Sequence, residues 1–129
     1  MRIKIKAKIK IPVRKTFRQV EDKLEKPLAQ AARTMAAVAR AMVSTPWPPA
    51  SAKYSPPHLR SGKLKAGITS FRRKRLLYII QATAVKKGFD YAQAMEYGIA
   101  KQNLVERPFM RPMILKTYKS INVFFKGAF

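Results

Sequence analysis

The sequence predicts an α+β domain in which a small antiparallel sheet, made of an N-terminal strand and a hairpin, packs against a long N-terminal helix. Three observations indicate this fold class. The first residues alternate basic and apolar side chains with a period of two, as half-buried strands do. An apolar repeat of three or four residues then continues for about seven helical turns. Two strand-like runs around a turn follow, and a short helix and a C-terminal helix complete the order.

Composition indicates one globular domain over residues 1–129 with a large excess of positive charge. The 28 lysines and arginines face only 6 acids, so the formal net charge is +22, far above what solubility requires. This surplus predicts a polyanionic partner, which nucleic acid, an acidic protein surface or an anionic membrane would satisfy. No apolar run approaches the roughly 20 residues that cross a bilayer, and we expect no membrane partner. Without cysteine, disulfides and thiolate metal sites are excluded.

The first predicted element is a basic strand over residues 1–12. Its alternation places the isoleucines on one face and five cations on the other: Arg2, Lys4, Lys6, Lys8 and Lys10. These charges recur about every 6.6 Å, within the Debye length of about 8 Å at physiological salt, so they repel one another unless an anion screens them. The strand is therefore either an edge strand whose solvated lysines discourage aggregation or a surface that contacts a polyanion.

A long helix is predicted over residues 16–44. Thr16 and Gln19 fit a capping box at its start. Half of the acids lie near this end, where the helix macrodipole favours negative charge: Glu21, Asp22 and Glu25. Pro27 predicts a kink or break near residues 25–26, because it lacks an N–H group and crowds the preceding turn.

An irregular loop over residues 45–62 contains five prolines and two aromatic residues, Trp47 and Tyr54, that either pack back onto the domain or dock on a partner. Residues 63–129 are predicted to hold the hairpin and the remaining helices. Ser61 is a candidate cap for the short helix in "GKLKAGI". The runs "ITSF" and "LLYIIQATAV" enclose a basic hairpin tip, which is either solvated or in contact with nucleic acid: Arg72, Arg73, Lys74 and Arg75.

Two further helices are predicted in the C-terminal third of the chain. Asp90 as N-cap and Gly98 as a stop signal bound a helix of about two turns. Apolar residues that keep helical spacing from Met110 up to Gly127 predict the last helix.

The sequence contains no recognisable catalytic constellation. His58 is the only histidine, and no second histidine or cysteine completes a metal site. Asp90 and Glu96 are expected on different faces of a short helix, and Glu106 is expected in a local ion pair. No glycine-rich phosphate loop or specific nucleic-acid motif is present. We therefore predict that the protein is not an enzyme and holds no cofactor or metal. Any nucleic-acid contact is expected to involve the sugar-phosphate backbone of the nucleic acid.

Three stretches of the chain share their pattern with one known family: "PPHLRSGKLKAGI" at 56–68, "YAQAMEYG" at 91–98 and "RPFMRPMI" at 107–114. They are similar, in this order, to the patterns Pro-x-x-Thr-Gly-x-Leu-x-x-Ser-Ile, Tyr-Ala-x-x-Val-Glu-x-Gly and Pro-Phe-Met-Arg-Pro. In order and spacing they resemble the small tail-component family of tailed bacteriophages, the tail-completion or head-tail joining proteins. With the preceding helix, the likeness covers residues 16 to about 126.

The resemblance implies a non-enzymatic virion protein of the phage neck or tail, assembled in the host cytoplasm. Such proteins form a ring, most often sixfold, between the head connector and the tail tube or terminator proteins. Copies that each carry a charge of +22 would repel one another in a small ring. We therefore expect the basic strand or the hairpin tip to line the DNA channel without base specificity or to meet acidic neighbouring rings.

The same interpretation suggests a set of interface residues: Trp47, Tyr54, Tyr91, Glu96, Pro108, Phe109 and Arg111. Glu96 is a candidate for an ion pair between subunits, and an ion pair within the chain is the alternative. The runner-up for the whole protein is a sequence-independent nucleic-acid-binding protein of ribosomal or nucleoid type.

Overall fold

Helices and an antiparallel sheet follow one another along the chain as the periodicities predict. The structure is a computed structural model and describes residues 1–7 and 14–126. Its helices and strands, in chain order, are β1 Arg2–Lys6, α1 Arg14–Met42, α2 Lys63–Ala66, β2 Ile68–Lys74, β3 Leu77–Ala82, β4 Val85–Lys86, β5 Phe89–Asp90, α3 Tyr91–Tyr97, α4 Met110–Thr117 and α5 Asn122–Phe125. This architecture confirms the α+β class, with the sheet packed against the long N-terminal helix.

The main sheet is antiparallel and has the strand order β1-β3-β2, so β3 lies in the centre and β1 at an edge. Ile3 of β1 lies opposite Ile80 of β3, and both side chains pack in the core. The predicted basic strand is confirmed over Arg2–Lys6. The rest of that prediction, with Lys8 and Lys10, lies outside the described residues.

One stripe of α1 supplies much of the core. Its buried side chains recur at helical spacing: Leu24, Leu28, Ala31, Ala32, Met35, Ala36 and Ala39. The C-terminal half of α1 packs against Ile80 of the sheet and against Phe109 and Met113 near the start of α4. The N-terminal half packs against Leu76 in the hairpin turn. The helix therefore connects the sheet on one side with the C-terminal helices.

Of the two predicted effects of Pro27, a kink or a break, the break is wrong, because α1 continues without interruption through this residue. Proline inside a helix costs about 3 kcal/mol. Leu24 and Leu28 on either side of it are buried against Leu76, and burying two leucines contributes roughly 3 to 6 kcal/mol. Tertiary packing therefore offsets the local penalty.

The starts of two helices differ from the predicted caps. α1 includes Arg14, so Thr16 lies within the helix and is not its N-cap. At α2 the N-cap is Gly62, while Ser61 lies one residue earlier and its Oγ accepts from the N–H of Lys63 at 3.4 Å. Both predicted helix starts lie within a few residues of the observed ones. The exact terminal residue depends on capping geometry, which the sequence pattern does not specify.

The boundaries of α3 agree with the prediction. The Oδ1 atom of Asp90 accepts from the N–H of Ala92 at 3.0 Å and so caps the helix. Gly98 ends it with a φ of 72°, a conformation that favours glycine. Among the described residues, no helix combines the length and apolar composition needed to span a membrane.

The single C-terminal helix predicted from Met110 to Gly127 is instead two helices, α4 and α5, separated by a turn. Thr117, which ends α4, is buried, and its Oγ1 donates to the carbonyl oxygen of Met113 at 2.8 Å. The Oγ of Ser120 in turn donates to the Thr117 carbonyl at 3.0 Å. Such local side-chain bonds give the carbonyl oxygens at this turn partners besides the helix ladder.

Candidate polyanion-binding face

All six acidic residues of the chain have partners within it. Asp90 caps α3, and the other five form ion pairs: Glu21 and Asp22 with Arg75, Glu25 with Arg72, and Glu96 and Glu106 with Arg111. Among the described residues, these pairs engage only three arginines. No acidic side chain is therefore left to balance the remaining lysines and arginines that the structure describes, and most of these are exposed.

Two of the four predicted cations of the hairpin tip are neutralised by α1. Arg75 pairs with Glu21 at 3.0 Å and also with Asp22, while Arg72 pairs with Glu25 at 3.2 Å. The sequence suggests that these acids interact with the helix macrodipole. Their main contacts in the structure are instead the ion pairs that join α1 to the hairpin. Arg72 and Arg75 are consequently weaker candidates for a polyanion than the sequence predicts.

The tip also differs from the prediction in its geometry. β2 extends through Lys74, so Arg72, Arg73 and Lys74 belong to the strand and the turn lies at Arg75 and Leu76. A register irregularity between Arg72 and Lys74 accommodates the extra residue. Arg73 and Lys74 stay exposed, and both keep their charge at the surface.

The Glu25 carboxylate receives several donors at this junction. It accepts from the N–H of Leu76 at 2.7 Å and from the Tyr78 hydroxyl at 3.4 Å, besides Arg72. Burial by itself would raise the pKa of Glu25, but the Leu76 N–H and Arg72 outweigh it and lower this pKa. Burial, together with the Glu25 carboxylate, raises the pKa of the Tyr78 hydroxyl.

This junction predicts a loss of stability in acid. Because the folded-state pKa of Glu25 is lowered, its contribution is complete above the unfolded pKa of about 4.3 and disappears as pH falls through the folded value. Thermal melts of the wild type from about pH 6 to about pH 3 should show a steeper decline than melts of Glu25→Gln. Parallel curves for the two proteins would show that Glu25 does not control this transition.

The outer face of the sheet carries the three cations of β1 that the structure describes. Arg2, Lys4 and Lys6 of β1 are exposed, and the register places Lys4 opposite the buried Ile79 and Lys6 opposite Leu77. On the other side of β3, Phe71 lies opposite Ile79 and Lys74 opposite Leu77. Directly opposed residues share one face of a sheet. We call this surface the basic sheet face. Its accessible residues are Arg2, Lys4, Lys6, Thr69, Phe71, Lys74 and the half-buried Gln81, while Leu77 and Ile79 are buried beneath them.

The basic sheet face combines cations with one exposed aromatic ring and contains no acid. Arg2 donates from Nε to Oε1 of Gln81 at 2.9 Å, which holds its guanidinium against the sheet. Phe71, 39% exposed, stands across the strand from the lysine row. Cations at this spacing contact phosphates, and an exposed ring stacks on bases or sugars without reading sequence. Phe71 was not predicted from the sequence, because the register that places it beside the lysines is a long-range property.

The interface candidates differ widely in accessibility. Tyr54, 66% exposed, and Trp47 are on the surface, and the Arg60 guanidinium lies 4.7 Å from the Trp47 ring centroid. Arg111 is exposed, and Tyr91 and Pro108 are half-buried. Glu96 and Phe109, in contrast, are fully buried within the chain. They cannot reach a neighbouring subunit, and we remove them from the interface set.

For Glu96 the sequence leaves two alternatives open, an ion pair between subunits and an ion pair within the chain. Its Oε2 accepts from the N–H groups of Phe109 at 2.8 Å and Met110 at 2.9 Å. Its Oε1 accepts from the N–H of Arg111 at 2.9 Å and from its Nε at 3.0 Å. The intrachain pair is thus the correct alternative, and Glu96 caps α4. The sequence does contain a signal for this role at the start of α4. Phe109 occupies the N-cap position and makes no side-chain cap bond, so another group has to accept from the first N–H groups of the helix.

Glu106 forms the local ion pair predicted for it, with Arg111 at 2.9 Å. The two pairs with Glu106 and Glu96 raise the pKa of the Arg111 guanidinium. His58 makes one hydrogen bond, from Nδ1 to the Pro49 carbonyl at 2.6 Å. Over residues 1–7 and 14–126, no three potential ligands among His, Asp and Glu come together to hold a metal.

Comparison of the chain with protein-family models, curated proteins and solved structures gave no match.

Proposed function

We propose that this chain is a structural subunit of a bacteriophage neck, where copies form a ring around the DNA channel between head connector and tail. In this proposal the basic sheet face meets the backbone of the DNA. The observation that carries it is the charge distribution. Arg2, Lys4, Lys6 and Lys74 share a face without acids, while all six acidic side chains are engaged elsewhere.

The second and third of the stretches that carry the family resemblance contact each other, and the first and second line one pocket, which gives their joint occurrence a structural reason. Glu96 of the second stretch accepts from the backbone of Phe109 and Arg111 in the third. Leu64 of the first stretch and Tyr91 of the second line the same pocket. These contacts support the resemblance, because residues that stabilise one another are expected to occur together.

The charge of the chain favours a role in contact with a polyanion. Six copies with +22 each would repel one another, and DNA or acidic neighbouring proteins would relieve that repulsion. Contacts from lysines to phosphates hold DNA without base specificity. DNA that passes through a neck must slide, so such contacts suit the channel. The remaining partners in this proposal are the head connector and the tail-tube or terminator proteins of the virion.

The assembly is tested by measuring the mass of the purified protein by sedimentation at high salt, where nucleic acid is released, and by electron microscopy of particles. A ring, about sixfold, that attaches to tails or connectors is expected. A monomer with steeply salt-dependent DNA affinity would instead favour the second candidate, a sequence-independent nucleic-acid-binding protein of ribosomal or nucleoid type. The same basic sheet face supports that candidate, so the assembly state decides between them.

The double variant Lys4→Gln/Lys6→Gln should weaken binding to duplex DNA. Loss of two phosphate contacts is expected to reduce the slope of log affinity against log salt by about 2. Fluorescence anisotropy at several salt concentrations measures this slope. The matched control is Lys116→Gln/Lys119→Gln, which removes the same charge from exposed positions on α4 and the turn after it. An equal loss in both variants would indicate bulk charge and would contradict a role for the basic sheet face.

A further inference from the structure

A pocket of about 440 Å³ opens where the end of α1, the proline-rich loop, α2 and α3 meet. Its apolar lining consists of Val43, Pro57, Leu59, Leu64, Tyr91 and Met95. Ligand-binding pockets commonly have volumes of about 300 to 1,000 Å³ and a mostly apolar lining. This pocket is therefore large enough for one or two large apolar side chains.

The rim of the pocket is cationic. Arg60, Lys63 and Lys86 line it and are exposed, and none of its lining residues is acidic. The Arg60 guanidinium rests on the Trp47 ring, with 4.7 Å to the centroid. Such stacking holds the cation at the rim. An occupant therefore has to combine an apolar group with negative charge.

The wall formed by the proline-rich loop is held in place by its own hydrogen bonds. The N–H of Trp47 donates to the Leu59 carbonyl at 2.9 Å, and the N–H of Leu59 donates to the Thr45 carbonyl at 2.6 Å. His58 Nδ1 donates to the Pro49 carbonyl at 2.6 Å. A preformed wall lowers the entropy cost of binding.

We propose that this pocket binds an acidic peptide segment of a different protein, with a large apolar side chain in the pocket and carboxylates at the rim. Charge complementarity identifies the occupant. A second copy of this chain is a poor one, because all six of its own acids are already engaged and it carries +22. The inference does not depend on the neck proposal, since it uses none of the residues of the basic sheet face.

The probe is a fluorescein-labelled peptide of about ten residues, with Phe-Leu at its centre and Asp and Glu on both sides. Its control has Ser-Ser at the centre and the same charge. Because the protein is so basic, both peptides bind at low salt, so the comparison is made near physiological ionic strength. The Phe-Leu peptide should bind at least about tenfold more tightly than the Ser-Ser peptide. Equal affinity would overturn the proposal.

The location of binding is tested with a charge-reversed rim, Lys63→Glu/Lys86→Glu. The matched control, Lys53→Glu/Lys101→Glu, changes the net charge equally at exposed positions outside the pocket. The rim variant should lose at least about tenfold in affinity for the Phe-Leu peptide, and the control variant should change by less than about threefold. All four lysines are exposed, so thermal melts of both variants are expected to match the wild type.

Two results would overturn the assignment. If both double variants lose affinity equally, the peptide senses only overall charge. If the wild type self-associates, the rim variant does not, and the Phe-Leu peptide fails to bind, the pocket accepts a second copy instead. The DNA affinity of the rim variant is also compared with that of the Lys53→Glu/Lys101→Glu control. This comparison distinguishes a failure of the pocket proposal from a failure of the proposed DNA contact at the basic sheet face.

Discussion

Glu96→Ala is expected to destabilise the protein by roughly 3 to 5 kcal/mol, the usual cost of removing one partner of a buried charged network. The Glu96 carboxylate is fully buried and accepts from three consecutive backbone N–H groups as well as from Arg111. Without it, the first turn of α4 keeps buried donors that water does not reach. The midpoint of thermal unfolding should fall by about 10 °C or more.

Glu106→Ala is the matched control for this prediction. It removes the other carboxylate partner of Arg111, but the Glu106 side chain is 33% exposed. A partly exposed ion pair contributes about 0 to 1 kcal/mol. Urea unfolding of both variants separates the two roles. If Glu96→Ala costs no more than Glu106→Ala, the capping of α4 by Glu96 does not stabilise the fold.

Gly98→Ala is expected to cost about 3 to 5 kcal/mol, because it combines backbone strain with overpacking. Gly98 has a φ of 72° and a ψ of 176°, a conformation that is almost confined to glycine. A Cβ atom at this position would lie 2.6 Å from the Leu104 carbonyl oxygen and 2.9 Å from the Glu106 nitrogen. Both neighbours are backbone atoms, so relief requires the following loop to move.

Gly88→Ala is the comparison at a positive φ without close packing. Gly88 has a similar φ of 77°, but a Cβ atom there would meet nothing within 4 Å. Its substitution should therefore cost only the strain, about 1 to 2 kcal/mol. Urea unfolding midpoints of the two variants measure the difference. Equal losses would mean that the loop near Leu104 yields without cost and that close packing is not the reason for glycine at position 98.

The parts of the fold that could be predicted from sequence are those governed by local rules. The alternation in Arg2–Lys6 and the helical repeat in α1 each depend on neighbouring residues, and the structure confirms both. The cap at Asp90 and the stop at Gly98 also act within one turn. Each of these signals acts over a few neighbouring residues, so a sequence pattern reveals it.

The errors arise where distant residues decide the outcome. Continuation of α1 through Pro27 depends on Leu76, which lies far along the chain. Arg75 and Asp22 are separated by 53 residues, so no local pattern links the hairpin to the acids of the helix. The interruption between α4 and α5 follows the buried Thr117, and helical spacing does not reveal it.

The candidate sites divide in the same way. The cations of the basic sheet face on β1 were predicted, because alternation assigns each residue to a face. Phe71 and Lys74 join them only through the pairing of β2 with β3. The peptide pocket could not be predicted at all, because five separate parts of the chain contribute its lining. The burial of Glu96 and Phe109 likewise required the packing of α3 against the start of α4.

The pairing of β1 with β3 determines the order of events during synthesis. Ile3 lies opposite Ile80, so the partner of the first strand is translated 77 residues later. At roughly 5 to 20 residues per second, the ribosome takes roughly 4 to 15 seconds to cover this interval. The hairpin of β2 and β3 forms from adjacent residues and does not have to wait. Attachment of β1 is therefore a late folding step, and until then we expect its lysines to oppose aggregation of a nascent chain with uncovered isoleucines.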